Sequence, residues 1–573
     1  MLNTKTIIFL FIILLQTSIH VFAQPDAGSI IRDQSPDKIT LPDRLPDPVR
    51  KSVPPSETSG GSGVLVKGFR FSGNEGLVTK SELTGLVETF INKKLDMAGL
   101  RWITSAITTY LRTEKGYLLA RAYLPEQDVT DGIITIAVVS GKTDKKTDIR
   151  LKGETRISPS ILQNIADRAV PSGGPALLED IERSILLMKD LPGIEANASI
   201  EPGSEPGTSH IFIDVSEGAL LKGSLSADNY GDRYTGKYRA AGRAAIMDPF
   251  GAGYRFDLAF TKADNLDLWH AGYSMPLGSS GLLLDTSYTG LSYKLGKDFS
   301  DLRIKGEADS LSLNMSYPLI RSRRTTVRAG AGIETLFLED EADSIKVSDR
   351  KIFDISAYVT GNFSDTFLGA GISSFSFSII RGDTNLSGLS SYRAADASGA
   401  GTAGSSIRAK YSIARLQRVT GAVSLYGSLR GQFASDNLDS SRRFILGGPN
   451  GVRAYPIGEA AGDEGHLLTL EARYDIPFAP AWANARLTGF FDAGHIRLHK
   501  DPWAGSVTNI SSSNSYTLSS AGIGISALIK KRYEVNISYA HKIGRNDGAG
   551  IDGKNADNLD DSSSFWLKLC IRL

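Results

Sequence analysis

Downstream of residue 218 the chain alternates between apolar and polar positions. Leu468, Leu470, Ala472, Tyr474 and Ile476 are separated by Thr469, Glu471, Arg473 and Asp475. Tyr533, Val535, Ile537 and Tyr539 are separated by Glu534, Asn536 and Ser538, and Phe565, Leu567, Leu569, Ile571 and Leu573 by Trp566, Lys568, Cys570 and Arg572. A period of two puts one set of side chains on each face of a strand. Sixteen such segments begin near residues 220, 237, 253, 266, 281, 306, 325, 350, 370, 405, 421, 466, 485, 516, 532 and 563. Connections after even-numbered segments are short, as at Pro249-Phe250-Gly251, Gly278-Ser279-Ser280 and Lys530-Lys531-Arg532. Those after most odd-numbered segments are long, at about 381–404, 435–465, 498–515 and 544–562. Lipid offers no hydrogen bonds, so a sheet that crosses it must close on itself. An even strand count with short turns on one side and long loops on the other predicts a sixteen-stranded antiparallel transmembrane β-barrel over residues 218–573. A soluble β-sandwich also alternates, but rarely needs so many strands with this loop asymmetry.

Upstream, helical spacing takes over. Residues 64–140 read as a strand (64–71), a Ser72-Gly73-Asn74 turn, helices near 80–92 and 97–114, and strands at 120–124 and 133–139. Leu100, Ile103, Ile107, Tyr110 and Leu111 share one face of the second helix. Residues 143–217 repeat the order: a strand at 148–152, helices near 158–169 and 176–189, and strands at 196–201 and 210–215. Two small α+β units of the form β-α-α-β-β, repeated in architecture rather than in sequence, therefore precede the barrel.

The N-terminus predicts export. Lys5, the apolar run Ile7 to Leu15 and Val21-Phe22-Ala23 form a signal peptide over residues 1–23. The apolar run is too short to span a bilayer as a helix. Residues 24–34, with Ile30 and Ile31, suit one or two helical turns, and residues 35–63 are rich in Pro, Ser, Asp and Gly, the composition of a linker. Lys+Arg total 64 and Asp+Glu 63. That balance argues against a nucleic-acid binder, which needs a basic surplus. Cys570 is the only cysteine, so no intrachain disulfide forms.

The chemistry worth following lies in the connection between the eleventh and twelfth segments. It reads Gly447-Gly448-Pro449-Asn450-Gly451-Val452-Arg453-Ala454-Tyr455, and Phe490-Phe491-Asp492-Ala493-Gly494 follows on the thirteenth segment. If Leu487, Phe491 and Ala493 face outward, Phe490, Asp492 and Gly494 face the lumen. A lumenal carboxylate wants a cation, and Arg, always charged and able to bind a carboxylate through two parallel hydrogen bonds, suits it. Glu471 and Arg473 also face inward and belong either to the same network or to ordinary lumen polarity.

With these motifs the chain resembles the transporters of two-partner secretion, of the haemolysin and filamentous-haemagglutinin exporter type, within the wider superfamily of POTRA-plus-barrel outer-membrane proteins. The family's loop motif is Val-Arg-Gly-Tyr/Phe, here Val452, Arg453 and Tyr455 with Ala454 in place of Gly. Its inner-wall motif is Phe-x-Asp-x-Gly, here Phe490, Asp492 and Gly494. The resemblance implies an Arg453–Asp492 pair, two POTRA domains at 64–140 and 143–217, and a plug helix at 24–34 on the 35–63 linker. It further implies a monomer in the bacterial outer membrane, with the POTRA domains in the periplasm, exporting an unfolded secreted exoprotein to the cell surface. No enzyme, cofactor or metal is expected. Gly399 to Gly404 fits G-x-G-x-x-G but lacks the strand-to-helix setting of a dinucleotide site. His495 and His499 do not share a helical face. The other readings are a barrel-assembly-type insertase and a passive porin or receptor.

Overall fold

The computed structural model of the chain describes residues 25–34, 63–143, 146–170, 176–204, 208–477, 479–480 and 482–573. The expected signal peptide and nearly all of the expected linker lie outside the described residues.

In the first unit, Thr79 caps the helix Lys80–Val87 and exchanges hydrogen bonds with Glu82. Asp96 caps the helix Met97–Thr113 by accepting from the Gly99 N–H at 2.8 Å. That second helix buries Leu100, Ile103, Ile107 and Leu111 against a three-stranded sheet. In the sheet Gly68–Ser72 runs parallel to Ile133–Val139, which pairs antiparallel with Arg121–Tyr123. Two expectations are refined. The strand expected over 64–71 is split: Val64–Leu65 pairs with Lys94–Leu95, while Gly68–Ser72 joins the main sheet. The break falls where Val66 donates to the Lys93 carbonyl and Lys67 to the Gly132 carbonyl, so the backbone changes partners there. The helix expected over 80–92 ends in a three-residue 3-10 turn, Glu88–Phe90, followed by Asn92 at φ 65°. Asn tolerates the left-handed region through its short polar side chain.

The second unit packs helices Pro159–Ala169 and Leu178–Lys189 on a sheet built around Thr208–Glu217. Pro159 sits at the helix start, where its missing N–H costs no hydrogen bond. Lys142–Thr143 and Asp148–Leu151 pair parallel to Thr208–Glu217, and Ile194–Pro202 antiparallel. Lys142–Thr143 was not legible as a strand, since two residues carry no period.

The barrel strands are β1 (Leu221–Asp228), β2 (Arg239–Met247), β3 (Arg255–Ala263), β4 (Leu266–Pro276), β5 (Leu283–Lys294), β6 (Lys305–Arg321), β7 (Thr325–Ala342), β8 (Ile345–Asp365), β9 (Gly371–Asn385), β10 (Gly404–Arg418), β11 (Val423–Ala434), β12 (Glu464–Asp475), β13 (Ala483–Arg497), β14 (Ser515–Ile529), β15 (Tyr533–Ile543) and β16 (Ser563–Arg572). All sixteen join in one closed antiparallel sheet. Closure between β1 and β16 runs from Ser224 opposite Arg572 to Asp228 opposite Lys568. Leu311, Leu313 and Met315 on β6 are exposed on the outer face, and Ser310, Ser312 and Asn314 alternate with them toward the lumen. No helix of the described residues is long and apolar enough to cross a membrane.

The short turns face the second α+β unit. The Ser158 N–H donates to Gly251 O at 2.8 Å, and Arg183 donates to Pro318 O at 3.0 Å. Asp190, which ends the helix Leu178–Lys189, binds Arg321 through both carboxylate oxygens (2.7 and 3.0 Å) and Arg328 at 2.6 Å. Charge-assisted, two-pronged contacts of this kind hold orientation as well as position. Asp190→Ala, in a Cys570→Ser background, is expected to broaden spin-label distances between the second unit and the barrel turns, leaving distances within the barrel unchanged. An unchanged distribution would remove the fastening role of Asp190.

Candidate functional site

Residues 435–463, between β11 and β12, fold back into the lumen. The loop narrows at a short antiparallel stem, Phe444–Ile445 with Ala461–Gly462. Asp463, fully buried beside the stem, accepts from the Leu438 and Lys500 N–H groups at 3.1 and 2.8 Å. At the tip the Val452 N–H donates to Leu446 O (2.7 Å) and the Tyr455 N–H to Val452 O (3.0 Å), a tight turn that throws Arg453 toward the wall.

Arg453 meets Asp492 on β13 in a fork: Nε to Oδ2 and Nη2 to Oδ1, both 2.8 Å. Its Nη1 reaches Glu471 Oε1 on β12 at 2.9 Å, and Glu471 Oε2 takes Arg473 Nη2 at 2.7 Å. The guanidinium lies 3.4 Å from the centroid of the Phe490 ring, within cation–π reach. Asp492 is fully buried and also accepts from Thr469 Oγ1 (3.1 Å) and Ser520 Oγ (3.3 Å). Burial alone would lower the Arg453 pKa, but the hydrogen bonds and charges of Asp492 and Glu471 outweigh it and raise it. Arg453 therefore stays a cation at any working pH. Breaking one partner would strand a buried charge, at a cost of about 3–5 kcal/mol.

Apolar packing completes the seat. Val452, Ala454 and Tyr455 are buried with Leu446, Phe490, Ile496, Tyr516 and Leu518. Gly494 explains itself here, because a Cβ at that position would meet Leu446 Cδ2 at 2.4 Å. Ala454 is not among the residues with positive φ, so the turn does not need the glycine that the motif usually carries.

All eight residues singled out from the sequence thus lie around one point in the lumen: Val452, Arg453 and Tyr455 on the loop, and Phe490, Asp492, Gly494, Glu471 and Arg473 on the wall. Two further residues were missed. Trp566 Nε1 on β16 donates to Arg453 O at 2.7 Å, and Ser564 Oγ donates to Ala454 O at 3.0 Å. Trp566 did leave a signal: it is an aromatic in the polar phase of its strand.

The tempting motifs are scattered. Gly399 to Gly404 leads out of a loop helix, Ser390–Ala397, into β10. His495 is exposed beside Thr517, while His499 is buried with Nε2 3.2 Å from Ser506 O. Among the described residues no group of three or more His, Cys, Asp or Glu is placed to hold a metal ion.

The second lumen occupant is α1 (Ala27–Asp33). Ala27, Ile30 and Ile31 are buried against Leu266, Leu291, Tyr293, Leu336, Leu338 and Ile352 of the inner wall.

With the geometry in place, comparison with known proteins is direct. The family model of the haemolysin secretion/activation protein ShlB/FhaC/HecB matches residues 207–527, and that of the ShlB-type POTRA domain matches residues 64–141. The chain belongs to the ShlB/FhaC/HecB family. The heme/hemopexin transporter protein HuxB of Haemophilus influenzae (strain 86-028NP) is 26% identical, over 87% of this chain and 84% of that protein. The outer membrane transporter CdiB of Dickeya dadantii (strain 3937) is 24% identical, over 75% of this chain and 77% of that one. Among solved structures, CdiB from Escherichia coli superimposes with a TM-score of 0.69 at 21% identity, covering 100% of this chain and 98% of that one. BamA from Haemophilus ducreyi lacking POTRA domains 1-3 gives 0.53 at 13% identity over 89% and 99%. These likenesses are of fold. As a member of the ShlB/FhaC/HecB family the chain is an outer-membrane transporter that exports a partner exoprotein, with its POTRA domains in the periplasm.

Trp566→Phe removes the N–H that holds Arg453 O, a contribution of about 1 kcal/mol, together with part of the buried ring that packs on Tyr230. Hydrogen exchange across 450–456 is expected to speed up by roughly fivefold, with the barrel strands unaffected. Unchanged exchange would show that Trp566 does not hold the loop tip.

Proposed function

We propose that Arg453 and Asp492 hold the lumen loop in the position that export requires, and that α1 is a plug which leaves before the partner passes. What carries this reading is the fork from Arg453 to a fully buried Asp492. A solvated loop cation would not meet a wall carboxylate, a second carboxylate and an aromatic face together. The exported partner is caught unfolded by the two periplasmic domains through strand addition to an open sheet edge, since backbone hydrogen bonds recognise an extended chain without demanding one sequence. In the first domain the edges are Gly68–Ser72 and Arg121–Tyr123. The partner's folding outside then opposes its return. The transporter works as a monomer in outer-membrane lipid.

Two measurements test the two parts. Arg453→Ala is expected to abolish secretion of the partner while the barrel still assembles; normal secretion would remove the role given to the pair. Deletion of residues 25–34 is expected to raise conductance in planar bilayers, and unchanged conductance would sink the plug.

A further inference from the structure

Away from the Arg453 site, the most enclosed cation in the lumen is Arg350 on β8, 2% exposed. Its Nη1 lies 2.8 Å from Asp439 Oδ2 and 3.0 Å from Asp26 Oδ2, and its Nη2 lies 2.9 Å from Asp340 Oδ2. The three carboxylates belong to three different parts. Asp26 caps α1, Asp340 is on the wall strand β7, and Asp439 is in the loop that carries Arg453. Helix and loop also touch directly: Ser440 Oγ donates to Asp26 at 2.7 Å, and Arg32 Nη1 donates to Ser440 O at 2.7 Å. The approach needs Gly28, where a Cβ would meet Ser440 Oγ at 2.5 Å.

The charges do not balance. Among the described residues of the helix segment, Arg32 is paired with Asp33, so Asp26 is the carboxylate left to face the wall. In the seat, one guanidinium faces Asp340 and Asp439, which leaves a single negative charge. Asp26 and the surplus carboxylate of the seat repel each other, and the helix is held by close contacts: Asp26 on Arg350, the Ala27 N–H on Asp340 at 2.8 Å, and the buried isoleucines. When the helix departs, nothing in the seat is stranded. Arg350 keeps two carboxylates, and Asp340 keeps the Tyr293 hydroxyl (2.7 Å), Ser348 Oγ (2.8 Å) and Arg350. An uncompensated buried charge is what makes breaking a buried pair expensive, and here the surplus carboxylate removes that penalty.

We infer that Arg350 is a positioning residue that latches α1 and the β11–β12 loop to one wall, and that the surplus carboxylate of Asp439 keeps the latch reversible on the helix side. The order of events follows from the same contacts. The helix leaves by giving up Asp26, while the loop stays tied to Arg350 through Asp439 and to Asp492 through Arg453. Helix exit therefore precedes loop movement.

The inference rests on α1 being the plug, so the test separates the two. Planar-bilayer recordings of the full chain compare Asp26→Asn, Asp439→Ser, deletion of residues 25–34, and that deletion combined with Asp439→Ser. Serine at 439 retains an oxygen for the Ser441 N–H that Asp439 now caps at 2.9 Å. Asp26→Asn and the deletion are expected to raise the open fraction. Asp439→Ser, by making the seat neutral, is expected to lower it by about tenfold. The combined variant is expected to be as open as the deletion alone, which also shows that it assembles a working barrel. An open fraction raised or unchanged by Asp439→Ser, or a combined variant less open than the deletion, would overturn the latch. A deletion that leaves the conductance unchanged would overturn the plug instead.

Discussion

A sheet closed in lipid satisfies every strand's hydrogen bonds but encloses a lumen, and in this barrel a helix and a loop fill part of it. The rest of the structure answers that constraint. Sixteen paired strands form the wall, α1 and the β11–β12 loop occupy its interior, and the second small domain sits against the short turns. Both occupants combine polar contacts with apolar seating. Ile30 and Ile31 supply the helix's grip, and Val452 and Tyr455 supply the loop's.

The two occupants are held by different kinds of contact. Arg453 is forked to Asp492, shared with Glu471 and stacked on Phe490, and its own carbonyl is held by Trp566. Removing any one of these leaves a buried group short of a partner. At Arg350 three carboxylates share one guanidinium, and without Asp26 the cation would still face Asp340 and Asp439.

The second α+β unit connects to the barrel through few but directional contacts. Asp190 reaches Arg321 and Arg328 at the periplasmic ends of β6 and β7, and the Ser158 N–H reaches the β2–β3 turn. The same β7 carries Asp340 at its other end, under α1. One strand thus bears both the fastening of the second domain and part of the helix seat.

Much of this was legible in the chain itself. The period of two in β12, β15 and β16, and the alternation of loop lengths, determined a closed barrel because lipid admits no other all-strand solution. The same period placed Asp492 and Glu471 on the inner face before any contact was known. Local pattern failed where pairing partners change within a few residues, as at Val66, or where an element is too short to show a period, as at Lys142–Thr143. Tertiary structure alone decided which charges meet. Asp26, Arg350 and Asp439 are hundreds of residues or several strands apart, and no spacing rule links them. Only closure of the barrel, with the helix and the loop folded inside it, brings them within hydrogen-bonding distance.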